Sequence, residues 1–152
     1  MEILGRETTV TDEHAAAYFF QDLAQANGIT SPDGVAFQKL KEKIPSIGSL
    51  ELPADATLCG GVGRQLVAKG RDTDIAGNPR QLVAHWVRID LCAIRLPSVD
   101  TDILVTLTTP TTPTTGEPQS SSSSSSAPLE RLDDLFANVL RSVRIIDWSL
   151  FG

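Results

Sequence analysis

From Leu82 to Leu96 the chain alternates with period two. Val87, Ile89, Leu91 and Ala93 fall on one side, and Trp86, Arg88, Asp90, Cys92 and Ile94 on the other. Such alternation is the mark of a strand, because successive side chains of extended backbone point to opposite faces. Pro97 to Asp100 breaks the pattern. Asp102 to Thr108 then resumes it, with Ile103, Val105 and Leu107 on one face. Two alternating runs joined by a short breaker predict an antiparallel hairpin. Leu58 to Lys69 predicts another strand, with Leu58, Val62 and Leu66 on one face and Gly60, Gly61 and Gly63 marking a bulge or a close backbone approach. Met1 to Leu4 has the makings of a short strand that starts abruptly.

Helical spacing appears in two places. Thr11 is a good N-cap, Asp12 and Glu13 suit a first turn, and Ala16, Phe19, Phe20, Leu23 and Ala26 recur at intervals of three and four before Asn27-Gly28. This predicts a helix over 12–27 with one apolar face. Pro128 suits the start of a second helix, whose stripe is Leu129, Leu132, Phe136, Val139 and Val143. It feeds a short closing strand, Val143 to Ile146. A brief helix is predicted for Phe37 to Lys43. Helix, antiparallel strands, helix and strand in that order make an α+β fold, an antiparallel sheet flanked by helices rather than a βαβ repeat.

Between the last strand and the second helix, residues 108–128 read TTPTTPTTGEPQSSSSSSSAP. A stretch with almost nothing apolar cannot offset its chain entropy by burial, so a flexible loop is expected there. The remainder of the 152 residues is the size of one domain, and a single domain over 1–152 is the reading.

Composition narrows the function classes. Nineteen acidic and thirteen basic residues leave a net charge of −6, which argues against a nucleic-acid binder. No apolar run approaches the ~18 residues of a membrane span, and the start does not resemble a signal peptide. The expectation is a soluble, intracellular monomer. Residues 1–34 hold Glu2, Glu7, Asp12, Glu13, Asp22 and Asp33 against Arg6 alone. An acidic end is compatible with a basic protein partner, but on charge alone a solvated surface with none is the favoured reading.

Enzyme chemistry finds little footing. Gly60-Gly61-Val62-Gly63 lacks the Lys-Ser/Thr of a phosphate loop and sits in an alternating run. His85 and Asp90, five apart on a strand, point to opposite faces. His14, His85, Cys59 and Cys92 are not at metal-site spacing. The two cysteines are expected to be free thiols on neighbouring strands, buried as small hydrophobes. Asp100 and Asp102, flanking Thr101, read as the polar start of a hairpin strand. No cofactor and no metal are predicted, and no catalytic residue.

Three stretches together resemble a known family. They are Ala15-Ala16-Ala17-Tyr18-Phe19-Phe20-Gln21-Asp22-Leu23 with Asn27-Gly28; Ile94-Arg95-Leu96-Pro97 with Val99-Asp100-Thr101-Asp102-Ile103-Leu104-Val105; and Val143-Arg144-Ile145-Ile146-Asp147 with Ser149-Leu150-Phe151-Gly152. Their order and separations are similar to those of the Mog-one family, the Ran guanine nucleotide release factors. The Ile-Arg-Leu…Asp-Thr-Asp hairpin is the most specific piece. The resemblance implies a sheet flanked by helices like that of the PsbP proteins, binding to the small GTPase Ran, release of its guanine nucleotide, and a role in nuclear import, in nucleus and cytoplasm. The alternative is a PsbP-like interaction domain with another partner. Family members carry an N-terminal β-hairpin and acidic residues ahead of the strand that Met1-Glu2-Ile3-Leu4 resembles. The resemblance therefore implies a fold incomplete at its N-terminus and weakened Ran binding. Glu2 matches one acidic position of that strand, and Gly5 stands at the other. Glu2, Glu7, Asp12 and Glu13, the acidic groups of that end, are the candidate partner-binding residues.

Overall fold

The computed structural model describes residues 1–40, 44, 52–68, 84–111 and 133–151. The alternating run is strand β4 (Ala84–Leu96), and its apolar residues on both faces place it in the middle of a sheet. β5 (Thr101–Pro110) folds back on it through a turn at Pro97–Val99 and Asp100, which takes a left-handed conformation at φ 48°. β3 (Thr57–Ala68) pairs with its other edge, β2 (Val35–Lys39) lies outside β3, and β1 (Glu2–Gly5) lies outside β5. The order is β1-β5-β4-β3-β2, antiparallel throughout.

Two helices cover opposite faces. α1 (Asp12–Ala26) sets Ala15, Ala16, Phe19 and Phe20 on Ile89, Leu91, Ala93 and Leu104. α2 (Asp134–Ser142) sets Phe136 and Leu140 on Cys92, Ile94, Leu96, Ile103 and Val105. Each fully buried Phe contributes roughly 1.5–3 kcal/mol through the apolar area it removes from water. Odd positions of β4 thus face α1 and even positions face α2, the division that the sequence alternation predicts.

The glycines of β3 mark a close approach and not a bulge. Register with β4 runs unbroken from Thr57↔Arg95 to Ala68↔Ala84. A Cβ on Gly63 would lie 2.2 Å from the Phe20 ring, and one on Gly61 2.2 Å from the Phe37 ring. The two rings pack at 4.9 Å between centroids. Gln65, fully buried nearby, donates to the Phe20 carbonyl (3.0 Å) and accepts from Asn27 (2.8 Å), tying the end of α1 to β3. Cys59 and Cys92 are buried free thiols on adjacent strands.

Several sequence expectations need correction. Phe37–Lys39 is strand, not the start of a helix: Val35 and Phe37 share the face toward α1, and Phe37 fits over glycine in place of a side chain. Residues 41–43 lie outside the described residues. Val143–Ile146 forms no strand. Val143 and Ile145 pack against the α2-side core while Ile146 is exposed, so their period of two reflects extended backbone lying on a core rather than pairing in a sheet. β5 runs on to Pro110, into the Thr/Pro-rich stretch, because Thr108, Thr109 and Pro110 pair with Ile89, Arg88 and Val87. Residues 112–128 of the expected loop, and Pro128, Leu129 and Leu132 of the expected helix, lie outside the described residues. Among the described residues α2 begins at Asp134, with Asp133 as its N-cap accepting from the Leu135 amide at 2.8 Å. Thr11 does stand at the N-cap of α1, but its hydroxyl bonds the His14 ring (2.9 Å) instead of a helix amide.

Candidate functional site: an acidic segment held by a buried arginine

Residues 6–11 join β1 to α1 without regular secondary structure. A segment of this kind has backbone groups that no ladder satisfies, so side chains or water must serve them. Here one side chain does much of it. Arg95 sits on the α1 side of β4 and is fully buried. Its Nε donates to Asp102 at 3.2 Å, its Nη1 to the Val10 carbonyl at 2.6 Å and to Asp12 at 2.9 Å, and its Nη2 to the Glu7 carbonyl. Asp102, opposite Arg95 in the β4–β5 register and itself buried, accepts from the Glu7 amide at 3.0 Å through its second oxygen. The Arg6 amide bonds the Asp100 carbonyl at 2.9 Å. A buried charge is tolerable only when paired and hydrogen-bonded, and the arginine fork suits several acceptors at once.

Asp102 is therefore not merely the polar start of a strand; it is the counter-ion of the clamp. The signal for this pair was present in the sequence. Position 95 continues the apolar face of Val87, Ile89, Leu91 and Ala93, and a charge there needs a partner across the hairpin.

The four candidate acidic residues are placed differently. Glu7 closes a local turn by accepting from the Thr9 amide (3.0 Å) and hydroxyl (2.5 Å), and it accepts from Tyr18 at 3.3 Å. The Thr9 bonds hold its carboxyl below the usual range, and its negative charge raises the Tyr18 hydroxyl. Asp12, partly exposed, pairs with Arg95. Glu13, next along the first turn of α1, pairs with Lys39 at 3.3 Å, both side chains well exposed. Glu2 is exposed on β1 opposite Leu104 and takes no part in this network. The structure thus brings Glu7 and Asp12 together about Arg95, with Glu13 beside them and Glu2 on the neighbouring strand. One guanidinium charge stands against the carboxylates of Asp12 and Asp102, so the segment stays acidic.

Over 153 aligned residues the chain is 29% identical to the Ran guanine nucleotide release factor of Danio rerio, covering all of this chain and 76% of that protein. No solved structure matches it. Residues 1–110, which hold the acidic segment, its clamp and the five strands found among the described residues, match the family described as Ran-interacting Mog1 protein. With most of its length in that match, the chain belongs to the Ran-interacting Mog1 family, a family of binding proteins rather than enzymes.

Proposed function

We propose that this protein binds the small GTPase Ran and promotes release of its guanine nucleotide, a step that serves nuclear protein import and places the protein in nucleus and cytoplasm. Family membership supports the partner, and the name of the Danio rerio relative supports the activity. The observation that carries the reading is the acidic segment itself: Glu7, Asp12 and Glu13 are presented on backbone fixed by a buried ion pair, and Glu2 stands on the neighbouring strand β1. Exposed carboxylates held in one place favour a basic partner, steering its approach and setting its register. Each exposed pair adds only roughly 0.2–1 kcal/mol, so several must act together and binding should weaken as salt rises.

The test follows a fluorescent guanine nucleotide as it leaves Ran. The wild-type chain should accelerate release in proportion to its concentration, less so at high salt. The triple variant Glu2→Gln, Glu7→Gln, Glu13→Gln, which spares the Arg95 partner Asp12, should be roughly tenfold weaker. A folded chain that leaves the release rate unchanged would sink the proposal and favour an interaction domain with a different partner.

A further inference from the structure

We infer that Arg95 is the positioning residue of the partner-binding surface: by holding Glu7, Val10 and Asp12 at once, it fixes the shape in which the acidic segment meets its partner. The inference rests on the Ran reading and goes beyond it, because Arg95 is fully buried and cannot touch a partner itself.

Three observations point the same way. The segment has no ladder of its own, and the Arg95 side chain reaches two of its residues, Glu7 and Val10, and Asp12 at the start of α1, while Asp102 reaches the Glu7 amide from the other side. Those bonds go mainly to backbone, to the carbonyls of Glu7 and Val10, so they fix the course of the chain and not only one rotamer. The orientation of the Glu7 carboxylate follows from that course, since it is set by a turn to Thr9 and by Tyr18 on α1. Moreover, the sheet does not need the clamp for its register, which the β3–β4 and β4–β5 ladders hold over their full length. Losing Arg95's fork should therefore disturb 6–12 first.

Lysine at position 95 separates shape from charge. It keeps the positive charge opposite Asp102 but presents a point charge where a planar fork bonded several acceptors. The experiment compares the full chain with Arg95→Lys, with Glu7→Gln, and with both together. Amide hydrogen exchange is read along the chain, and nucleotide release from Ran is followed at several salt concentrations. Arg95→Lys should leave the amides of β3, β4 and β5 protected. Exchange in residues 6–12 should rise by roughly tenfold or more, as expected when a set of charged bonds is lost. Release should slow by roughly tenfold and lose most of its salt dependence. In the double variant Glu7→Gln should add almost nothing, because a carboxylate no longer held in place has little left to lose.

Additive effects of the two substitutions would overturn the inference, since a purely structural loss leaves the Glu7 contribution intact. So would faster exchange in 6–12 with release unchanged, or unchanged exchange in 6–12. If the wild-type chain does not act on Ran at all, the functional reading falls and takes the partner-facing role of Arg95 with it. Exchange in 6–12 then decides separately whether Arg95 holds the segment.

Discussion

Strand β4 buries one charge on each face, and the two are solved differently. On the α1 side Arg95 is sealed from solvent and distributes its donors over a carboxylate in the sheet, a carboxylate at the start of a helix and two backbone carbonyls. On the α2 side Asp90 is equally buried, but its partner Arg88 keeps 14% of its side chain exposed. Asp90 takes a bidentate bond from Arg88, both at 2.9 Å, and accepts the Asp133 amide at 3.0 Å where α2 begins. One cluster shapes an irregular acidic segment; the other pins the start of a regular helix. The difference teaches that a buried charge in this fold serves whichever element cannot hold itself, and that only Arg95 lies beneath the candidate binding surface.

The sharpest way to break this comparison is Arg95→Met. It leaves Asp102 buried and without its counter-ion, so a loss of about 3–5 kcal/mol is expected in urea unfolding. Asp90→Ala should cost less, about 1.5–3 kcal/mol, because the Arg88 head can turn to water. Equal losses would mean that exposure of the partner does not decide the cost.

The thiols extend the contrast to pH. Cys59 on the α1 side and Cys92 on the α2 side are both pushed up by burial, but the Arg95 charge is among the influences that draw Cys59 back, while Cys92 is pushed up to about 12. The folded Cys92 keeps its proton to higher pH than the unfolded chain, whose thiol titrates near 9. Its contribution to stability is complete below pH 9 and is lost as pH rises toward 12, at up to roughly 1.4 kcal/mol per pH unit. Urea midpoints measured from about pH 8 upward should fall less steeply in Cys92→Ala than in wild type; parallel slopes would contradict this. The smallest effect belongs to Asp133→Ala, about 1 kcal/mol for a lost N-cap. If it matched Asp90→Ala, Asp90 would be acting only through the start of α2.

Much of this was legible in the sequence for a physical reason. β4, β5 and α1 bury wide apolar faces, so their periodicity is written in residue types, and the hairpin turn is marked by proline. β2 was missed because its alternation rests on two residues, Val35 and Phe37, with glycine rather than a matching side chain opposite Phe37. The tail at Val143–Ile146 misled because packing on a core and pairing in a sheet leave the same alternating trace. At the site, acidity at the N-terminal end was visible, and a charge on the apolar face at position 95 signalled a partner across the hairpin, whereas the reach of that pair to residues 6–12 was not visible. Arg95 and Asp102 lie far along the chain from Glu7 and Asp12, and only the β4–β5 register and the docking of α1 bring them together.

The contact of Gly63 with Phe20 makes two distant positions a single variable. Position 63 can acquire a methyl group only if position 20 gives up volume, because the Phe20 ring and the Ala36 carbonyl, 2.5 Å from the missing Cβ, already fill the site. Among relatives of this chain the two should covary, a small residue at one with a large residue at the other. A swap such as Gly63→Ala with Phe20→Leu should recover part of what Gly63→Ala loses alone. The gap between helix and sheet is in that sense set by the pair, and with it the height at which α1 lies above β3.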